Sequence, residues 1–184
     1  MGKTSPHLSI HHQNFIRQQK MFFVATAPPN GFINLSPKGM DSFRIINENK
    51  VVWLNLTGSG NETAAHLLED DRMTIMMNAF DGNPMILRIY GKAKTVHQRD
   101  HDWEKWIALF DETAGARQIF VVNVDMVQTS CGFGVPIMEF KGNRPELANW
   151  TKKKGEEGLR HYHLEKNTVS LNGKTTGLIE DLTD

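Results

Sequence analysis

The sequence predicts a mainly β protein, a small antiparallel barrel, closed or partly closed, with helices covering its ends. Strand-like runs outnumber helical ones, and the connections between them are short and marked by Pro, Gly and Asn. A chain of 184 residues with 39% apolar residues can remove about 70% of its unfolded surface from water, enough for one real core.

Residues 5–20 open with Ser5-Pro6, a plausible cap and first-turn proline, and place Leu8, His12, Phe15 and Ile16 on one face, which predicts a short helix. MFFVATA and FINLS, split by Pro28-Pro29-Asn30-Gly31, predict a hairpin. FRII and KVVWLNL, joined through Asn47-Glu48-Asn49, predict the next strand pair. The glycine-rich Thr57-Gly58-Ser59-Gly60-Asn61 then ends the extended run, and NETAAHLLE suits a short helix in which Ser59 and Glu62 match capping-box spacing. RMTIMMNAF and MILRIYGKAKTV supply the fifth and sixth strands, with a bend or bulge expected at Gly91. Trp103, Trp106, Ile107 and Phe110 recur at helical spacing within 98–110. QIFVVNVDMVQTS and GVPIMEF return to β-like composition. Beyond Lys141 the chain becomes charged and poor in aliphatic residues, which predicts two short helices or an extended arm.

Twenty-one basic and 21 acidic residues cancel to a formal charge of zero, so nothing global favours nucleic acid or an anionic membrane. The longest clean apolar run, about five residues around Met21–Ala25, is far below the roughly 18 of a membrane span. A single cysteine, Cys131, and a start without the apolar region of a secretory signal suggest a reducing cytoplasmic setting. Cys131 itself reads as a small packing residue. The His11-His12, His97/His101 and His161/His163 spacings lack completing ligands, so no metal site is expected.

The most informative stretch is LNLTGSGNETAAHL. A glycine-rich loop between a strand and a helix aims several unpaired N–H groups at one spot, which favours a phosphate, and Ser59, Asn61 and Thr63 can add hydrogen bonds. An ordinary capped turn would read the same way. There is no G-x-x-x-x-G-K-[ST] pattern for a nucleoside triphosphate. Lys38, after INLSP, is placed either to neutralise an anion or to sit in solvent. Arg88, between Leu87 and Ile89, must point to water or pair with a buried anion.

The succession INLSPKG, VVWLNLTGSGNETAAHL, RMTIMMNAF and PMILRIYGKAK resembles the pyridoxamine 5'-phosphate oxidase-related group of flavin-binding split-barrel proteins over about residues 10–140. CGFGVPIMEF and KNTVSLNG resemble later parts of uncharacterised members. The resemblance implies a six-stranded antiparallel split β-barrel of the FMN-binding type over residues 1–140. A helical or extended C-terminal appendage, 141–184, would pack on the barrel or on the dimer partner. It further implies FMN in clefts shared by two subunits of a homodimer. By position, Asn34, Leu35 and Ser36 would lie along the isoalloxazine ring, and Lys38 would reach the phosphate or ring edge. Trp53, Leu54 and Asn55 would form the neighbouring strand of the slot. Ser59, Asn61, Glu62 and Thr63 fall where the family holds phosphate, and Arg88 falls on a strand facing the cofactor.

The chain also departs from the vitamin B6 oxidases proper. Ile33 replaces an arginine, Glu62 and Thr63 replace two basic residues, Ile86 replaces a glutamine, and the tryptophan–arginine C-terminal signature is missing. The resemblance therefore implies a cofactor without implying pyridoxamine phosphate as substrate, with phosphate held by fewer cations and more backbone dipoles. The expected function is FMN-dependent oxidation or reduction of an unknown small molecule, with no side chain required as acid or base. The alternatives are a flavin-binding carrier or sensor without turnover, in which Trp150 or Tyr162 fills the space above the ring, or a related barrel using F420 or haem.

Overall fold

The computed structural model describes residues 2–111 and 115–179; residues 180–184 of the expected appendage lie outside them. The elements run β1 (Lys3–Ser5), α1 (Ile10–Gln18), β2 (Phe22–Thr26), β3 (Asn34–Lys38), β4 (Phe43–Asn47), β5 (Lys50–Leu56), α2 (Glu62–Leu67), β6 (Arg72–Asn78), β7 (Ile86–His97), α3 (Trp103–Ile107), β8 (Ala116–Ser130) and α4 (Glu146–Lys166). All pairings are antiparallel, in the order β3-β2-β6-β7-β8-β5-β4, with the short β1 added to β8. This is a split barrel. Its two terminal strands, β3 and β4, are not paired with each other. Across the gap Phe22 of β2 meets Phe43 of β4 with ring centroids 5.0 Å apart, so side-chain packing closes the wall where the ladder stops.

Period-two alternation sorts the strands' side chains into two cores. Val24, Val51, Trp53, Ile75, Leu87, Ile89, Phe120 and Val122 fill the interior. Trp53 stacks on Phe120 at 4.4 Å, and α1 adds Phe15 and Ile16 to the same cluster. The opposite faces of β5 and β8 bury Val52, Leu54, Ile119 and Val121 beneath Trp103, Trp106 and Phe110, as the helical spacing predicts. Each such burial contributes about 1.5–3 kcal/mol. Gly91 sits at a register shift in the β7–β8 ladder, where an added Cβ would collide with the carbonyl of Asn123. The predicted bend is thus a bulge that requires glycine.

Several local expectations are corrected. The first helix is capped by Ser9, not Ser5: Ser9 Oγ accepts from the His12 amide and His12 Nδ1 accepts from the Ser9 amide, both at 3.2 Å. Residues 3–5 instead extend the sheet as β1. GVPIMEF forms no strand. Pro136 lacks a ladder donor, and Ile137 is 91% exposed. Cys131, just past β8, is exposed rather than packed inside. The charged C-terminal run forms two helical segments joined at Gly155, whose φ of 64° breaks the helix. Among the described residues, no helix is long and apolar enough to cross a membrane.

Candidate functional site

One cavity, of about 290 Å³, gathers Asn34, Ser36, Lys38, Asn55, Ser59, Asn61, Glu62 and Thr63 with Gly58, Gly60 and Arg117. Strand alternation explains the selection on β3, where Asn34, Ser36 and Lys38 share one face while Leu35 and Pro37 take the other. Asn55 ends the inward series of β5 and donates to Gln118 Oε1 at 3.3 Å. Asn34 Nδ2 donates to Thr63 Oγ1 at 3.1 Å, tying β3 to α2.

Four expected residues are not brought to this cavity, each for a reason of strand geometry. Leu35 is 64% exposed on the outer side of β3. Trp53 is fully buried in the interior core; Lys38 Nζ lies 5.3 Å from its ring centroid. Leu54 faces the second core. Arg88 points opposite to the buried Leu87 and Ile89, and its Nη1 donates to Ser130 Oγ at 3.3 Å.

Arg117 is the residue that sequence reasoning missed. It lies between Ala116 and Gln118, which pair with Leu56 and Asn55, so it is the extra residue of a β-bulge. Bulges re-aim side chains. Arg117 is only 3% exposed, its Nε has no hydrogen-bond partner, and its Nη1 makes one long bond, 3.4 Å, to the Gly58 carbonyl. No motif or spacing marks a bulged arginine.

The loop also differs from its expected detail. The Ser59–Glu62 capping box does not form: Asn61 is the N-cap, its side chain makes no capping bond, and α2 has only six residues. Glu62 turns its carboxylate to the Leu171 amide, at 3.0 and 3.1 Å. A dipole that short attracts weakly, so the positive character of the site comes mainly from Lys38 and Arg117. Among the described residues, neither has a carboxylate partner in an ion pair. Burial, then the neighbouring Arg117 charge, pushes Lys38 down to about 8. Burial likewise pushes Arg117 down to about 10. Two desolvated cations without a counter-ion are costly, and an anion entering the cavity relieves that cost. The buried Ser36 hydroxyl has no partner, and a Cβ at Gly58 would meet nothing within 4 Å. Both leave room and bonding capacity for a ligand.

A pH dependence follows. Below about pH 8 Lys38 is protonated in folded and unfolded chains alike, and the penalty for burying its charge is fully present. Between about 8 and the ordinary lysine value of 10.5 only the unfolded chain holds the proton, so apo stability gains with rising pH in that window. Anion affinity has the opposite sign, falling as pH climbs through about 8 and Lys38 discharges. Titrations of a phosphate ester at pH 7 and pH 9 check this; equal affinities would contradict the role of Lys38.

Among the described residues no group of three His, Cys, Asp or Glu side chains could hold a metal ion. A split antiparallel barrel with a cationic cavity beside β3 and the end of β5 places the protein among split-barrel folds. A family profile described as pyridoxamine 5'-phosphate oxidase matches residues 8–131, and the chain belongs to that family. It is 34% identical over 186 residues to "Pyridoxamine 5'-phosphate oxidase family protein ustO" of Aspergillus flavus, covering 90% of this chain and 74% of that protein. Its fold is similar to HupZ of Group A Streptococcus (TM-score 0.53, 15% identity, 67% of this chain and 99% of that one). It is also similar to a candidate pyridoxamine 5'-phosphate oxidase from Lactobacillus delbrueckii (TM-score 0.52, 14% identity, 67% and 94%).

Proposed function

We propose that this protein binds FMN at the 290 Å³ cavity and works as a flavin-dependent oxidoreductase on a small molecule. One observation carries the reading: the half-buried Lys38 and the buried Arg117 meet at a glycine-rich loop, with no carboxylate in an ion pair to either among the described residues. That arrangement suits a phosphate ester. When bound, the flavin ring supplies the electron or hydride acceptor. The protein's own residues supply charge to the phosphate through Lys38 and Arg117, and hydrogen bonds through Ser36, Ser59 and Thr63. Asn34 and Asn55, held by Thr63 and Gln118, offer amides at the cavity wall.

Trp150 and Tyr162 do not line the cavity; they pack edge-on against each other at 5.0 Å, which supports an open approach for a substrate over a sealed carrier. A larger cavity of about 610 Å³, lined by Met40, Phe80, Met138, Phe140 and Leu147, shares Lys38 with the first and gives an apolar body a place beside it. Among the described residues no His, Cys or Met lines the smaller cavity, where Lys38 and Arg117 stand instead, which favours a phosphorylated ring over haem. The exposed Phe32, Ile33, Leu35 and Leu171 support a homodimer with the cofactor cleft at its interface.

The test is addition of FMN, F420 or haem to the purified chain, followed by absorbance, flavin fluorescence and melting temperature. FMN should quench and stabilise, and anaerobic NADH or NADPH should then bleach its visible bands; no response to FMN would refute the proposal. Leu35→Glu should shift the sedimenting species from dimer to monomer and weaken FMN binding together. A dimer that persists with unchanged affinity would contradict the shared cleft.

A further inference from the structure

We propose that the C-terminal arm, acting chiefly through Asn167, is the positioning element of the 57–62 loop, so that phosphate occupancy and arm docking are coupled. This rests on the reading of that loop as a phosphate site. The arm lies beyond residue 131, where the family match ends.

Three arm residues spaced four apart meet the loop in order. His163 Nε2 lies 2.8 Å from Thr57 Oγ1, and Thr57 Oγ1 donates to the Gly115 carbonyl at 2.9 Å. Burial and then the Arg117 charge push His163 down to about 4, so its ring is neutral at neutral pH, and an Nε2–H donor fits a threonine hydroxyl already committed to Gly115. Asn167 comes next. Its Nδ2 donates to the carbonyls of Gly58 at 3.0 Å and Ser59 at 3.4 Å, while its own carbonyl accepts from Asn61 Nδ2 at 3.3 Å and Thr176 Oγ1 at 2.6 Å. Finally the Leu171 amide donates to the Glu62 carboxylate at 3.0 and 3.1 Å.

Asn167 has no exposed surface and its Oδ1 has no partner, so burying this amide is offset only by the bonds that Nδ2 makes. Here its donors meet the two loop carbonyls whose partial negative charge would otherwise act against an anion. The Leu171 contact does the same for the Glu62 carboxylate on the cavity rim. The arm thus occupies the loop's acceptors and turns them away from the cavity that Lys38 and Arg117 line. Cations and loop come from the barrel; the shape of the loop comes from the arm.

The experiment compares FMN with riboflavin, which lacks the phosphate, on the full chain, Asn167→Ala and Asn167→Asp. The unaltered chain should prefer FMN. Asn167→Ala should weaken FMN about tenfold while leaving riboflavin within about twofold. Asn167→Asp, nearly isosteric but facing two carbonyls with a carboxylate, should weaken FMN at least as much. An Asn167→Asp variant that matches the unaltered chain, or equal loss of both flavins, overturns the proposal and spares the FMN site. An unaltered chain that binds neither flavin overturns both. Should the variants fail to fold, hydrogen exchange on the unaltered chain decides the matter. FMN should raise protection at 57–62 and 163–171 together, and protection confined to 57–62 would overturn the coupling.

Discussion

Arg117→Met is expected to weaken FMN binding by about 2–3 kcal/mol, roughly 30- to 150-fold, while leaving the melting temperature of the apo protein unchanged or raised. The two halves of this result have one cause. In the apo protein the guanidinium is desolvated, 3% exposed, with Nε unbonded and only a long contact to Gly58. Removing an uncompensated buried charge while keeping an apolar stem of similar length relieves the folded state. An anionic ligand turns the same group from a liability into a partner, and charge-assisted hydrogen bonds are the strong class. Lys38 also gains, because Arg117 is part of what lowers its protonation; in Arg117→Met the pH at which phosphate affinity declines should move up. Calorimetric titration at pH 7 and a thermal melt of the apo form check both halves. An affinity loss under about threefold would remove Arg117 from the site.

Trp53→Ala should destabilise the apo protein by about 3–5 kcal/mol, lowering the melting temperature by roughly 6–20 °C. Trp53 has no exposed surface, stacks on Phe120 at 4.4 Å and meets Phe22 edge-on at 6.0 Å. It sits where β2, β5 and β8 come together in the barrel interior. Deleting it leaves a cavity beside the side-chain seam formed by Phe22 and Phe43, where no ladder hydrogen bonds hold the wall. Trp53→Phe keeps an apolar ring against Phe120 and should cost much less. Thermal or urea unfolding of the apo protein distinguishes a core residue from a wall of the flavin slot. A variant that melts normally yet fails to bind FMN would restore the slot reading of Trp53.

Strands from Phe22 to Ser130 other than β3 could be read from the chain because each pairs a β-branched or aromatic run with turn chemistry at its ends, and both signals are local; β3 (NLSPK) has no such residue and was signalled by the Phe32-Ile33 just before it. β1 could not, since Lys3–Ser5 is extended only through its pairing with β8. GVPIMEF misled for the converse reason, having strand composition but no ladder to join. In the site, Asn34, Ser36 and Lys38 were legible because alternation on one strand sets a common face. Leu35 and Leu54 are chain neighbours of site residues, but alternation turns adjacent side chains to opposite sides; Trp53 shares the face of Asn55 and lies deeper, in the interior core. Glu62 was placed in the correct loop, but its orientation depended on Leu171, 109 residues away.

The sequence by itself determined that this is a mainly β protein, that a glycine-rich loop follows the strand KVVWLNL, and that a lysine follows INLSP. These are properties of short stretches, governed by side-chain alternation and backbone preference. Only the tertiary structure decided that Lys38 and Arg117 share one cavity, and that Asn167 holds the loop between them. Those meetings join positions separated by scores of residues, and one depends on a single extra residue in the β8 ladder. A bulge changes where a side chain points without changing anything in the local sequence that announces it.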